Sequence, residues 1–182
     1  MITASDPIDL FAGDGEVRAA CRAKDWHATP LGPESSWSPA LRSSLLHVLW
    51  SAFPNVILWG PGHVQLFNDA YIDLVGGDGL AALGCPPASA SSHGAESAGP
   101  YLQRVFAGET ISREGALFAV TRSGKAEHLY LTLSYAPIHD EDAVVAGVLV
   151  TVFEAEDELT PAHPRTNARL SERKRRPVSV PT

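Results

Sequence analysis

Residues 54–75 read PNVILWGPGHVQLFNDAYIDLV, two short apolar runs parted by a Gly-Pro-Gly turn and followed by a helical pattern. Val56–Trp59 and Val64–Phe67 carry strand-forming residues, and the turn residues between them mark a hairpin. Asn68 or Asp69 can cap the helix, whose apolar residues are Tyr71, Ile72, Leu74 and Val75; Gly76 and Gly77 stop it.

On the amino-terminal side, Ser38 followed by Pro39 is a helix start, the hydroxyl capping and the proline occupying the first helical position. The pattern predicts a helix over 39–53, with Leu41, Leu45, Leu46, Leu49, Trp50 and Phe53 on a broad apolar face. A helix this apolar is buried on most sides, against the sheet, a partner subunit, or both. Leu41, Leu45, Leu49, Trp50 and Phe53 are therefore the candidate interface residues. Residues 25–37 hold prolines and a glycine with Trp26 and Trp37, which reads as a loop with something to bury. A short helix is expected from Glu16 to Lys24, capped by Asp14, behind a leader of weak order over 1–13.

On the carboxyl-terminal side, residues 76–99 are rich in Gly, Ala, Ser and Pro and read as irregular. Pro100 opens a short helix with Tyr101/Val105 and Leu102/Phe106 pairs, ended by Gly108. From Thr110 the period becomes two. Strands are expected over Leu117–Thr121, Leu129–Tyr135 and Val144–Phe153, with turns at 123–124 and 139–142. The last strand is apolar on both faces, as a central strand covered on both sides requires, and helix 39–53 is the obvious second cover.

The net charge of −7 is unevenly spread. From Leu159 onward six basic residues, Arg173 to Arg176 among them, face one acid, a charge of +5; the remainder, eight basic and twenty acidic residues, carries −12. The body should repel nucleic acid, and only the tail could attract it; nucleic-acid binding is not expected. No basic n-region opens the chain, and the longest apolar run, 143–153, falls well short of the roughly 20 residues of a membrane span. Cys21 and Cys85, without a CxxC pairing, fit a reducing cytoplasm. The organisation expected is a leader and short helix (1–24), a tryptophan loop and amphipathic helix (25–53), a core (54–156) and a disordered basic tail (157–182).

The opening hairpin and its helix resemble the start of a PAS domain. Further fragments resemble PAS domains at the amino terminus of bacterial sensor histidine kinases and related signalling proteins. These are Asp25-Trp26, Thr29 to Pro33, Trp37 to Arg42, Phe53-Pro54, Trp59 to Pro61, Phe67 to Tyr71, Leu83-Gly84, Ser134 to Ile138 and Val145 to Val148, in order over roughly 25–154. The resemblance implies an α+β fold: a five-stranded antiparallel sheet, short helices on one face, and an amino-terminal helical extension. It further implies a cytoplasmic module that binds a small molecule or relays a signal through a homodimer or a partner such as a histidine kinase. No catalytic activity of its own is expected. A ligand-free interaction scaffold and a haem-binding sensor are the alternatives. Residues 86–100 lack the large aromatic side chains such a ligand cavity would have, and no kinase or cyclase region precedes Thr182, so the chain reads as a solitary module or a fragment.

The cavity implied would be lined by Trp59, Phe67, Tyr71, Tyr101, Phe106, Leu117, Leu131 and Tyr135, each also an ordinary core residue. His93 and His128 are the candidate haem ligands, although His128 alternates onto the polar side of its strand. Residues 76–79 (GGDG) read as a helix stop, and phosphate-loop, dinucleotide, zinc-protease and nucleophile-elbow signatures are missing. Asp140, Glu141 and Asp142 form a turn without a partner to raise a pKa, which gives acid–base catalysis no support.

Overall fold

A computed structural model describes residues 9–87, 99–122 and 125–154. Helices α1 (Glu16–Ala23) and α2 (Pro39–Leu49) precede strands β1 (Asn55–Trp59) and β2 (Val64–Phe67). Helices α3 (Asp69–Val75) and α4 (Gly99–Phe106) follow, and then β3 (Ile111–Arg122), β4 (Lys125–His139) and β5 (Val145–Glu154). The strands form one antiparallel sheet in the order β2-β1-β5-β4-β3. β5 reaches the centre because it returns to pair with β1 after the β3–β4 hairpin is made.

Register divides the side chains between two faces. Val56, Leu58, Phe67, Val148, Val150, Leu133 and Tyr135 share the inner face, which α3 and α4 cover. Ile57, Trp59, Val64, Leu66, Leu149 and Ile138 share the outer face. There α2 buries Leu41, Leu45, Val48 and Leu49 and contacts β1, β2 and β4. The outer side of β3 and the adjoining part of β4 keeps Leu117 and Tyr130 more than half exposed.

The amino-terminal extension belongs to the same core. Leu10 and Phe11, placed by the sequence in a leader of weak order, are buried. Phe11 packs on Trp26 (ring centroids 6.1 Å) and Trp37 (6.2 Å), while Trp26 and Trp37 meet edge to face at 4.9 Å. Both indole N–H groups are paired, Trp26 Nε1 donating to the Cys21 carbonyl and Trp37 Nε1 to that of Gly32.

Asn68 joins the pieces. Its Oδ1 accepts from the backbone N–H of Tyr71, capping α3, and from that of Asn55 at the start of β1, both at 3.1 Å. Its Nδ2 lies within donating distance of the carbonyls of Val48 (3.1 Å), Ser51 (3.1 Å) and Phe53 (2.8 Å), at and just past the end of α2. The helix stops at Leu49 rather than at Phe53. Arg18 takes the Leu49 carbonyl with Nη2, lies 3.8 Å from Asp69 Oδ2, and sits 4.6 Å over the Trp50 ring.

Helix α1 has no side-chain cap of its own, and Asp14 does not supply one. The N–H of Val17 instead donates to Asp69 Oδ1 at 2.8 Å, 52 residues along the chain. Gly15 permits that approach: a Cβ there would lie 2.5 Å from Asp69 Oδ2, and its φ of +132° disfavours any other residue.

Asn68→Ala is expected to destabilise the protein by about 3 kcal/mol or more, since it removes a helix cap and strands buried N–H and C=O groups. Urea unfolding measures this. Asn68→Asp, which restores the acceptor but not the donor, should recover only part of the loss.

Candidate functional site

The inner face brings together a polar aromatic cluster. Tyr71 follows from α3, one turn beyond its Asn68 cap, and packs on Phe67 at 5.4 Å. Tyr101, on the first turn of α4, stacks on Tyr135 of β4 at 6.0 Å with the rings 15° apart. Arg113 reaches the same place from β3. It pairs with Leu133, an inner-face residue, and a register break follows between Arg113 and Ala116. Its guanidinium lies 5.4 Å over the Tyr101 ring and donates to the Tyr135 hydroxyl. The bulge lets one residue of a hydrophobic strand present a charge inward.

Burial dominates the electrostatics. It pushes the Tyr71 phenol up to about 12, with Tyr135 adding to the rise. The Tyr135 phenol is raised too, chiefly by burial, while the charge of Arg113 and its hydrogen bond pull the other way. Both phenols are therefore neutral donors at physiological pH. With the guanidinium they suit an acceptor-bearing organic ligand, and their ring faces suit an aromatic one.

Of the residues expected to line a cavity, Phe67, Tyr71, Tyr101, Leu131 and Tyr135 lie on or against this face. Phe106 is at its margin, its ring 5.4 Å from His63. Two others are corrected. Trp59 pairs with Gly147 and Leu117 with Tyr130, a parity that puts both on the outer face, away from Tyr135. His128 also lies on that outer face, paired with Ala119 and exposed, and so does not approach the cluster; His93 lies outside the described residues.

The interface expectation changes as well. Leu41, Leu45 and Leu49 are used within the chain, at 3% exposure or less, while Trp50 (68%) and Phe53 (58%) remain open. Phe53 packs on Phe153 at 5.6 Å, extending the exposed apolar surface onto β5. Arg113 was missed because its segment, Ser112-Arg113-Glu114-Gly115, has no strand pattern. Asn68 was read only as a cap.

Among the described residues, no three His, Cys, Asp or Glu side chains converge as metal ligands, and no helix is long and apolar enough to cross a membrane. Cys21 is buried, and its thiol is pushed up to about 12, by burial first and then by Asp69. Cys85 is half-buried in a loop.

Helices inserted between β2 and β3, with the last strand returning to the centre beside β1, decide the fold. The fold is that of a PAS domain. No family model matches the chain, and no curated protein matches it. Solved structures of similar course include the Rhodobacter sphaeroides LOV protein, at 15% identity and a TM-score of 0.45, covering 61% of this chain and 64% of that one. The PAS domain of Bordetella pertussis BvgS is similar at 17% identity and a TM-score of 0.42, covering 65% and 87%. A sensory box sensor histidine kinase from Vibrio cholerae gives 19% and 0.38, covering 64% and 91%. The α1, tryptophan-loop and α2 segment packs on the outer face of the sheet.

Phenols held neutral by folding retain protons that the unfolded chain has already released. Stability from Tyr71 is thus intact below about pH 10 and falls between about pH 10 and 12. Cys21 adds a loss of the same sign from about pH 9. Denaturation midpoints from pH 9 to 12 should show the decline, and Tyr71→Phe should make it shallower.

Proposed function

We propose that this chain is a cytoplasmic sensory module that takes a small organic molecule against the inner face and relays the event through a homodimer or a signalling partner. The observation that carries this reading is the convergence of Tyr71, Tyr101, Tyr135 and Arg113, three phenol rings and one guanidinium on a single face. A packed hydrophobic core has no need of that set. Relay is supported by Asn68, whose Oδ1 holds the Tyr71 N–H while its amide holds the end of α2. A ligand that shifts α3 therefore acts on the outer-face helices through one side chain. The module performs no catalysis of its own, and a histidine kinase is one suitable partner. Haem has less support, because His128 faces outward.

A ligand-free scaffold is the second reading. It is favoured by the apolar strip of Phe53, Leu117, Tyr130 and Phe153, whose exposures run from 41% to 58% on the outer side of the sheet. Strips of this kind mark protein contacts.

Native mass spectrometry of the freshly purified protein, with an absorption scan, separates the two. An added mass that leaves on denaturation is expected for the sensor, and Arg113→Ala should weaken its retention. A bare chain would move the weight to the scaffold. On either reading the double variant Phe53→Glu/Phe153→Glu should sediment as a monomer where the parent sediments as a dimer.

A further inference from the structure

We propose that a cleft on the outer side of the sheet is a binding site for a small alkylated ammonium cation. It has a volume of about 470 Å³ and lies between the tryptophan loop, the start of α2, and the β1–β2 and β4–β5 turns. That volume is within the range of small-molecule sites. Its walls include Trp37, Trp59, Leu41 and Pro61, and its rim carries Asp140 and Glu141. No Lys, Arg or His lines it. Two negative charges therefore face an aromatic and aliphatic surface with no cation in the lining to answer them.

The walls are built rather than incidental. Trp37 is held by its bond to the Gly32 carbonyl and its edge-to-face contact with Trp26. Trp59 lies against β5 because position 147 is glycine: a Cβ there would stand 2.6 Å from Trp59 Cε3. Glu141 Oε1 accepts the Ala40 N–H at 2.9 Å, tying the β4–β5 turn to the first turn of α2 across 101 residues. Asp140 Oδ1 accepts from the N–H groups of Asp142 (3.0 Å) and Val144 (2.9 Å). Both carboxylates are thus fixed in place by backbone donors.

The same bonds choose the ligand. One oxygen of each carboxylate already serves the backbone, so a primary ammonium, strongly hydrated and needing acceptors on three sides, would recover little of its hydration. An alkylated ammonium needs no hydrogen bonds. It gains from indole faces and from the negative rim, and its alkyl groups fit beside Leu41 and Pro61. The cleft is on the opposite face of the sheet from Tyr135, so this inference stands apart from the proposed sensing site.

Titration calorimetry of the full chain with choline, tetramethylammonium and 3,3-dimethyl-1-butanol (the uncharged carbon analogue of choline) tests it. Both cations should bind saturably, and the neutral analogue about tenfold or more weaker. Asp140→Asn/Glu141→Gln keeps each acceptor oxygen while removing the charge. It should weaken choline about fivefold or more with an unchanged thermal midpoint, and Trp59→Leu should weaken it further. In a ¹⁵N-labelled sample choline should move the Trp59 indole resonance and leave Trp50, exposed elsewhere, in place. Equal binding of choline and its neutral analogue, full affinity in the charge-neutral double variant, or no saturable heat with either cation would each overturn the proposal.

Discussion

Where α2 leaves its helical path, the carbonyls of Val48, Ser51 and Phe53 converge at the point where the chain must turn into the first strand of the sheet. Asn68 answers them from the start of α3 with one amide. At 1% exposure, water cannot take its place. Such a side chain must both donate and accept, which among uncharged residues of this size only asparagine does in both directions. Asn55 extends the junction, its Nδ2 donating to Ser51 Oγ and its Oδ1 accepting from the Thr151 hydroxyl on β5. The outer helix, the edge hairpin, the central strand and α3 are thereby fixed at one point. Buried polar networks of this kind are costly when incomplete, so they specify a single arrangement.

The two faces of the sheet consequently differ in chemistry. The inner face gathers neutral phenols around one guanidinium. The outer face is divided between a part under α2 and the tryptophan loop, edged by carboxylates, and an open part that is apolar. Period two makes this possible, since neighbouring residues such as Tyr130 and Leu131 serve opposite surfaces.

The hairpin, α3 and the start of α2 were legible because their signals are local: turn residues, a cap and an apolar period. β5 was legible because a short run apolar on both faces has few other places to go. The end of α2 was not, since Trp50 and Phe53 continue the apolar pattern past the residue where the helix stops. Placing Trp59 or Leu117 on a face required the register with β5 or β4, and alternation within a strand does not say which set faces which helices. β3 begins at Ile111, earlier than its pattern, because a bulge interrupts the alternation between Arg113 and Ala116.

The carboxylate that receives the Val17 N–H of α1 has a consequence for the order of assembly during synthesis. Residues 16–23 leave the ribosome before Asp69 exists, and a helix of eight residues is too short to persist alone. This helix is therefore secured only after residues well beyond it have been made. Its buried side, Val17 and Cys21, stays uncovered until the hairpin and α3 have formed behind it, so the nascent chain carries an uncovered apolar segment over that interval.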